Sequence, residues 1–585
     1  MDIFPCGPGS HSFFKLIDRL WLSHRPKYTF NRICTLMRLM GAQSIIIEQL
    51  TNNSSEWIRL TQEFNAIRLR LDSAELEIIA DKITFTTFPF PLGATASSLK
   101  QAPDSSFLGY AIVVNIKLSA TCFWSYIFES VVKEFAGMLE APHLTIHPNC
   151  YLHVKSAFTC TVGSIRNYEI RGSYFCQQNS ITNVCSHAAA AMALTNASKS
   201  GEIVTLENVN QILNYEHKDR KFRINKYRLW NIPENPALSD PEEDRFSDGL
   251  VWKQLETVFK RHYYTPYLYE FYTVQHQHKF RSFLYSFIES GFPSILAFEP
   301  EVSGENPLQH VVCVVGHTLN PHSWLPMSLH LALQKVASEK PELNKTHPFD
   351  VLSSLSWVDD LIIHDENYGM QLCLPSHAFK PVQHPDHEHN FAPDSGMGIF
   401  PSTFKVLMLG HDAEKIAASA FRRVANSPAN LLSGSYYTER LWSSHRKALK
   451  HGIVYRTSLV KWKDYILSIS ELSSLRNEAL KFVEDTAKQF EYVWLTEVTE
   501  PDLLVGNKAK IVDIISNPMF DLEPKKDGSG YNCPCPERAV LMMRFPQGLR
   551  VPDEERVNWR IVHGWPTGEN QYYPLFQHET MKAPR

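Results

Sequence analysis

Nothing in the 585-residue chain supplies the uncharged apolar stretch of roughly 18 to 20 residues that a membrane-spanning helix needs. The best apolar run, Phe107 to Ile116, is short and strand-like. The start, Met1-Asp2-Ile3-Phe4-Pro5, lacks the basic segment, apolar core and small-residue cleavage site of a secretory leader. The expectation is a protein that neither spans a membrane nor is secreted. Charge of one sign is also missing: the net value is −4, without the basic surplus of a nucleic-acid-binding domain. One basic stretch, including Arg440, Arg446, Lys447, Lys450, Arg456, Lys461 and Lys463, reads as a solvated helix face. The cysteines are eleven, scattered and odd in number, which excludes a disulfide framework and fits the reducing cytosol.

Metal and phosphate motifs are sparse as well. Cys533-Pro534-Cys535 has no second half to complete a zinc knuckle. Asp527-Gly528-Ser529-Gly530 is a turn, because no Lys-Ser/Thr and helix come after it. His384, His387 and His389, with Asp386 and Glu388, crowd a Pro-rich loop that reads as surface rather than a zinc or nickel site. No metal and no organic cofactor is expected.

What is present is an ordinary globular composition, 44% hydrophobic and 21% charged, long enough for about two to four domains. The pattern suggests an α+β chain in three regions. Residues 1–140 form an N-terminal α+β accessory region, with strand-like runs at Ile83–Phe88 and Leu108–Ile116 and an amphipathic helix over Trp124–Leu139. Residues 141–405 form a central region, with an Ala-rich helix after Cys185 and further helices at Leu206–Tyr215, from Asp248 to Phe259 and at Phe280–Ser290. Strands are expected at Ser294–Phe298, His310–Val315 and Leu361–Asp365, and loops at Asn231–Asp248 and His377–Thr403. Residues 406–585 form a C-terminal α+β accessory region: helices at Asp412–Asn426 and Leu472–Gln489, paired strands at Tyr492–Val498 and Lys508–Ile515, and a loop-like stretch from Glu523 to Cys535.

The chemistry is carried by one cysteine, a histidine and a carboxylate placed after it in the chain. A thiolate is favoured at a helix N-terminus, where unpaired N–H groups and the helix dipole stabilise negative charge. Cys185 precedes Ser186-His187-Ala188-Ala189-Ala190-Ala191-Met192-Ala193-Leu194, a strong helix former, with Thr182 or Asn183 as the expected N-cap. A buried structural cysteine on a core helix is the plain alternative. Cys176 is a second thiol, but it has no helix behind it. Upstream, Gln177, Gln178 and Asn179 offer amides that can donate to an oxyanion. His310 opens the apolar run Val311–Val315 and can project into a cleft; His317, at the far end, is the rival base. Asp365 ends the run Leu361–His364, where a carboxylate can fix an imidazole tautomer, with Asn367 as the main competitor.

The order of these features carries a resemblance. Gln178 to Leu194, then Gly291-Phe292-Pro293 leading to Gln309-His310-Val311-Val312, then Ile363-His364-Asp365-Glu366-Asn367 together resemble the papain-like cysteine peptidases. The likeness is to the branch similar to bacteriocin-leader-processing peptidases. The resemblance implies a helix carrying the cysteine packed on an antiparallel sheet carrying His and Asp. It implies Cys185 as nucleophile, His310 as general base and acid, Asp365 as its orienter and Gln178 as oxyanion donor, with Asn179 as substitute. The implied reaction is hydrolysis of an amide in a protein or peptide substrate through a thioester. A thiol acyltransferase, amidase or transglutaminase-like enzyme uses the same residues, and an inactive papain-like interaction protein keeps the fold without the reaction. The long excursion from Asn320 to Ser356 and the accessory regions are expected to govern access or bind a partner protein.

Overall fold

The computed structural model describes residues 1–6, 12–24, 26–50, 54–71, 76–119, 121–133, 150–152, 156–198, 201–213, 249–271, 280–300, 310–318, 351–375, 391–401, 406–426, 453–470, 477–499, 510–522, 525–527, 530–532, 536–545, 548–552 and 559–564. It is a mixed helix and mainly antiparallel-sheet protein, an α+β chain. The chain divides into two units. The first comprises residues 1–272, 292–316 and 361–402, and the second comprises 273–291, 317–360 and 403–585.

This division departs from the sequence boundaries at 140 and 405. The N-terminal stretch is not a separate module, because its strands share a sheet with residues on the other side of that border. The first unit contains a seven-stranded sheet in the order Asp2–Pro5, Ser44–Gln49, Glu77–Thr86, Phe107–Lys117, Phe123–Lys133, Arg166–Phe175 and Ser156–Val162. Its neighbouring strands run antiparallel. The segment from Phe123 is a strand, not the amphipathic helix expected over Trp124–Leu139. Residues Trp124 to Val132 are buried without a break; a β-branched and aromatic run covered on both faces has no polar stripe to expose.

A second sheet of the first unit runs in the order Gly369–Pro375, Asp360–Asp365, His310–Thr318, Ser294–Pro300, Phe391–Pro401 and Tyr264–Glu270, and Cys150–Leu152 pairs with His310–Thr318. Phe391–Pro401 falls inside a stretch expected to be loop. Its backbone ladders with both Ser294–Pro300 and Tyr264–Glu270 supply the order that its Gly and Pro content argued against.

The helix Cys185–Ala197 packs on Arg166–Phe175 of the first sheet and on Ser294–Pro300 of the second. Every residue from Ser186 to Asn196 is buried, and four consecutive alanines at 188–191 let the two sheets approach its axis. Asn196 fastens the far end. Its Oδ1 accepts from Tyr174 N at 2.6 Å and its Nδ2 donates to Tyr174 O at 2.9 Å.

The helix Tyr28–Leu39 braces the turn after Asp365. Thr29 Oγ1 donates to the carbonyls of Glu366 (3.4 Å) and Asn367 (3.2 Å). The Arg32 guanidinium donates to the carbonyls of Met370 (3.2 Å) and Gln371 (2.5 Å).

The second unit has its own seven-stranded sheet, in the order Val351–Ser353, Ile453–Lys461, Tyr492–Thr499, Val512–Ser516, Val540–Phe545, Gly548–Pro552 and Trp559–Gly564. The expected pairing of the 492 and 512 strands is present and antiparallel. Helix Phe280–Glu289 packs here on Ile453–Lys461, Leu459 N donates to Ser290 Oγ at 2.7 Å, and Val351–Ser353 adds a parallel edge strand. These contacts assign residues 273–291 and 317–360 to this unit although they interrupt the first in sequence. Most of the excursion from Asn320, the His384–His389 loop, Asn231–Asp248 and Cys533–Cys535 lie outside the described residues. Lys525–Asp527 and Gly530–Asn532 form a small hairpin where loop was expected.

The brace tolerates no side chain at Gly369. This residue has φ +124°, and an added Cβ would lie 2.8 Å from Arg32 Cβ and Cγ. Gly369→Ala is expected to cost about 1–3 kcal/mol through backbone strain and displacement of the helix. The check is the denaturation midpoint of the purified variant; an unchanged midpoint would mean the turn is not clamped.

Candidate active site

Cys185 is the first residue of its helix, as the sequence suggested, but the N-cap is Val184, with φ −131° and no side-chain cap. Thr182 and Asn183 are used elsewhere. Asn183 Oδ1 accepts from Asn179 N (2.8 Å), and Thr182 Oγ1 accepts from Asn179 Nδ2 (2.9 Å). First-turn N–H groups of a helix have no carbonyl one turn back, and here no Ser, Thr, Asp or Asn at the cap competes for them. Ser186 faces inward and its Oγ accepts from Leu250 N at 2.8 Å.

The loop before the helix is fixed by the strand Phe123–Lys133. Gln177 N donates to Ile127 O, Ile127 N donates to Gln177 Oε1 and Trp124 Nε1 donates to Asn179 O, at 2.8–3.0 Å. Asn179 closes a tight turn. Its Oδ1 accepts from Ile181 N and Thr182 N, both at 2.8 Å, around Ser180 at φ +62°. Its Nδ2 also donates to Glu63 Oε1 at 2.8 Å. Asn179 therefore shapes the loop with every polar atom of its side chain. Gln178 is buried, and its Nε2 donates to Asn367 Oδ1 at 3.4 Å.

His310 opens its strand opposite Phe298, whose ring meets the imidazole edge-on at 5.4 Å. Its Nε2 donates to Asp365 Oδ2 at 3.0 Å and lies 3.8 Å from Glu366 Oε2. Cys185 Sγ, a ring nitrogen of His310 and a carboxylate oxygen of Glu366 lie within 4.8 Å of one another. Burial pushes the imidazole towards its neutral form. The Glu366 charge, hydrogen bonds with Asp365 and Cys185, and the Asp365 charge outweigh burial and lift its pKa to about 11. Thiol, imidazole and carboxylate make a zinc-type donor set; an ion would first have to displace the proton that the two carboxylates hold on the ring.

The rival histidines and Cys176 are placed apart from this cluster, whereas Asn367 adjoins it. His317 is buried in the second unit, with Nε2 at 2.8 Å from Glu289 Oε1 and Nδ1 at 3.0 Å from Thr318 O. His364 points to the opposite face from Asp365. It contacts Tyr174 O through Nδ1 at 3.1 Å, and burial drives its pKa down to about 3. Cys176 is fully buried, which pushes its thiol well above the ordinary range. Asn367 bonds to the two carboxylates. It donates from its backbone N to Asp365 Oδ1 (2.8 Å) and from Nδ2 to Glu366 Oε1 (2.9 Å).

Sequence reasoning gave Glu366 no role, although it adjoins Asp365 and its charge was visible. Glu63 and the Thr29–Arg32 brace lie far away in sequence, and nothing local signals them. The chain matches no protein-family model and no curated protein.

Glu63 lends itself to a pH test. Burial raises its carboxyl from 4.5 to about 7, against hydrogen bonds from Asn179 and Tyr126 that lower it. A raised carboxyl pKa makes folding disfavour the ionised form. The penalty is absent below the unfolded pKa, grows as pH rises to about 7, and then levels. Glu63→Gln is therefore expected to gain stability relative to the parent across that window, to the order of 3 kcal/mol at pH 8. Urea unfolding at several pH values checks this, and a pH-independent difference would contradict it.

Proposed function

We propose that this chain is a papain-like thiol hydrolase that cleaves an amide bond of a protein or peptide through a thioester on Cys185. The observation that carries the proposal is the meeting of a helix-start thiol with an imidazole whose Nε2 is 3.0 Å from a strand-end carboxylate.

The chemistry stems from those positions. His310 takes the thiol proton, and the carboxylates beside it hold that proton on the ring as a thiolate–imidazolium pair, while the helix start favours the thiolate. The thiolate attacks the amide carbonyl. The Cys185 N–H and the Gln178 amide are the donors for the oxyanion. Asn179 is the poorer candidate, since its amide is committed to the loop. His310 then protonates the leaving amine, and as a neutral base takes a proton from the water that opens the thioester. Asp365 keeps the ring oriented throughout. The second unit contains none of these residues, and we assign it to substrate or partner selection.

Cys185 is expected to be the first thiol alkylated by iodoacetamide at neutral pH, because it opens a helix beside an imidazole. Burial raises the thiols of Cys6, Cys34, Cys122, Cys160, Cys176 and Cys313, so that among the described cysteines exposed Cys373 is the comparison. Peptide mapping after brief labelling gives the order; Cys373 or Cys176 ahead of Cys185 sinks the assignment. Asp365→Ala is expected to lower turnover by up to roughly 10⁴-fold, by analogy with the serine triad. Mass spectrometry of products with and without an amine acceptor separates hydrolysis from acyl transfer.

A further inference from the structure

We infer that Glu366 is a second positioning carboxylate for His310, and that Asn367 is the bracket that holds Glu366, Asp365 and Gln178 in one arrangement. This rests on the thiol-hydrolase reading above and adds two residues to it. The usual arrangement needs a single orienter; here a second acid lies 3.8 Å from the same ring nitrogen.

Glu366 is fully buried. A buried carboxylate is tolerated when a cation and hydrogen bonds replace its water. His310 is a cation placed against Oε2, and Asn367 Nδ2 donates to Oε1 at 2.9 Å. Among the described residues, the titratable groups that act on His310 are Cys185 from the helix and Asp365 and Glu366 from the strand end. Among the described side chains of the strand Ser294–Pro300, Phe298 meets the imidazole edge-on. Glu366 supplies the largest favourable charge on the imidazole.

Asn367 ties these groups together through three bonds. Its Oδ1 accepts from Gln178 Nε2 (3.4 Å), its Nδ2 donates to Glu366, and its backbone N donates to Asp365 Oδ1 (2.8 Å). Thr29 Oγ1 holds the carbonyls of Glu366 and Asn367 from behind. The oxyanion amide and the imidazole are thus set by one turn. Asn367 acts through the carboxylates rather than on the ring, so it is a positioning residue.

The test is the pH profile of Cys185 alkylation and of turnover in the full chain. Loss of the imidazolium sets the alkaline limb. In Glu366→Gln, which keeps an acceptor for Asn367, that limb is expected to move down by roughly 1 to 3 pH units, the range for an opposite charge at this distance. kcat should fall and KM should hold. Glu366→Asp should restore part of the shift, which a packing role would not do. An alkaline limb unchanged in both variants, in protein with parental melting behaviour, overturns the role of Glu366. If Glu366→Gln does not fold, the Glu366→Asp profile decides by the same criterion. A parental Cys185 alkylated no faster than exposed Cys373 would instead overturn the hydrolase reading itself, so the two failures differ.

Discussion

The imidazole of His310 sits half-buried in a protein interior that should strip its proton, and it keeps the proton because carboxylates are held against it. Desolvation is the largest single influence on this ring, and it acts in the unfavourable direction. Two acids close to Nε2 outweigh it. Much of the local architecture can be understood as the means of keeping them there. Asp365 and Glu366 are consecutive, so strand alternation alone would send their side chains to opposite faces. They converge because the strand ends at Asp365 and the chain turns. The turn is itself gripped by Thr29 and Arg32 from a helix more than three hundred residues earlier. A fold that let this turn relax would lose the charge on the ring before it lost any core packing.

The thiol depends on a different constraint. For a helix to begin within reach of the His310 ring, it must lie against the sheet that carries that strand. Here it also lies against the first sheet. Alanine at 188–191 makes this possible by removing bulk; leucine there would push the sheets apart and carry the thiol away from the ring. The absence of a Ser, Thr or Asn cap is part of the same design. A side-chain cap contributes about 1 kcal/mol to a helix, but it does so by occupying first-turn N–H groups that an oxyanion or thiolate would use. Val184 at the cap forgoes that contribution.

The strands and helix of the candidate site are legible because each is a short-range signal. Val311–Val315 and Leu361–Ile363 are apolar runs that only buried strands explain, and the Ala-rich stretch has no other good conformation. The identities of the partners came from their places at element ends. What failed was information carried by distant residues. Phe123–Lys133 was misread as a helix because its spacing of Trp, Tyr, Phe and Val satisfies helical periodicity as well as a fully buried strand does. Phe391–Pro401 was misread as loop because pairing with two neighbours, not intrinsic propensity, gives it order. Glu366 was visible as a charge, yet its role depends on a turn whose geometry Asn367 and Thr29 determine together.

The connectivity adds a last constraint. The chain leaves the first unit after residue 272 and again after 316, and each time returns on a strand of the sheet that bears His310. Ser294–Pro300 cannot meet the helix Cys185–Ala197 until the first excursion has come back, and Asp365 cannot reach His310 until the second has. Closing a longer loop costs only logarithmically more entropy, so the excursions weigh little on the final stability. They weigh more on the order of events, since contacts distant in sequence form late. The first sheet, whose strands all precede residue 176, can therefore form with the thiol helix against it first, while the pair that charges the imidazole comes together only after the second excursion has returned.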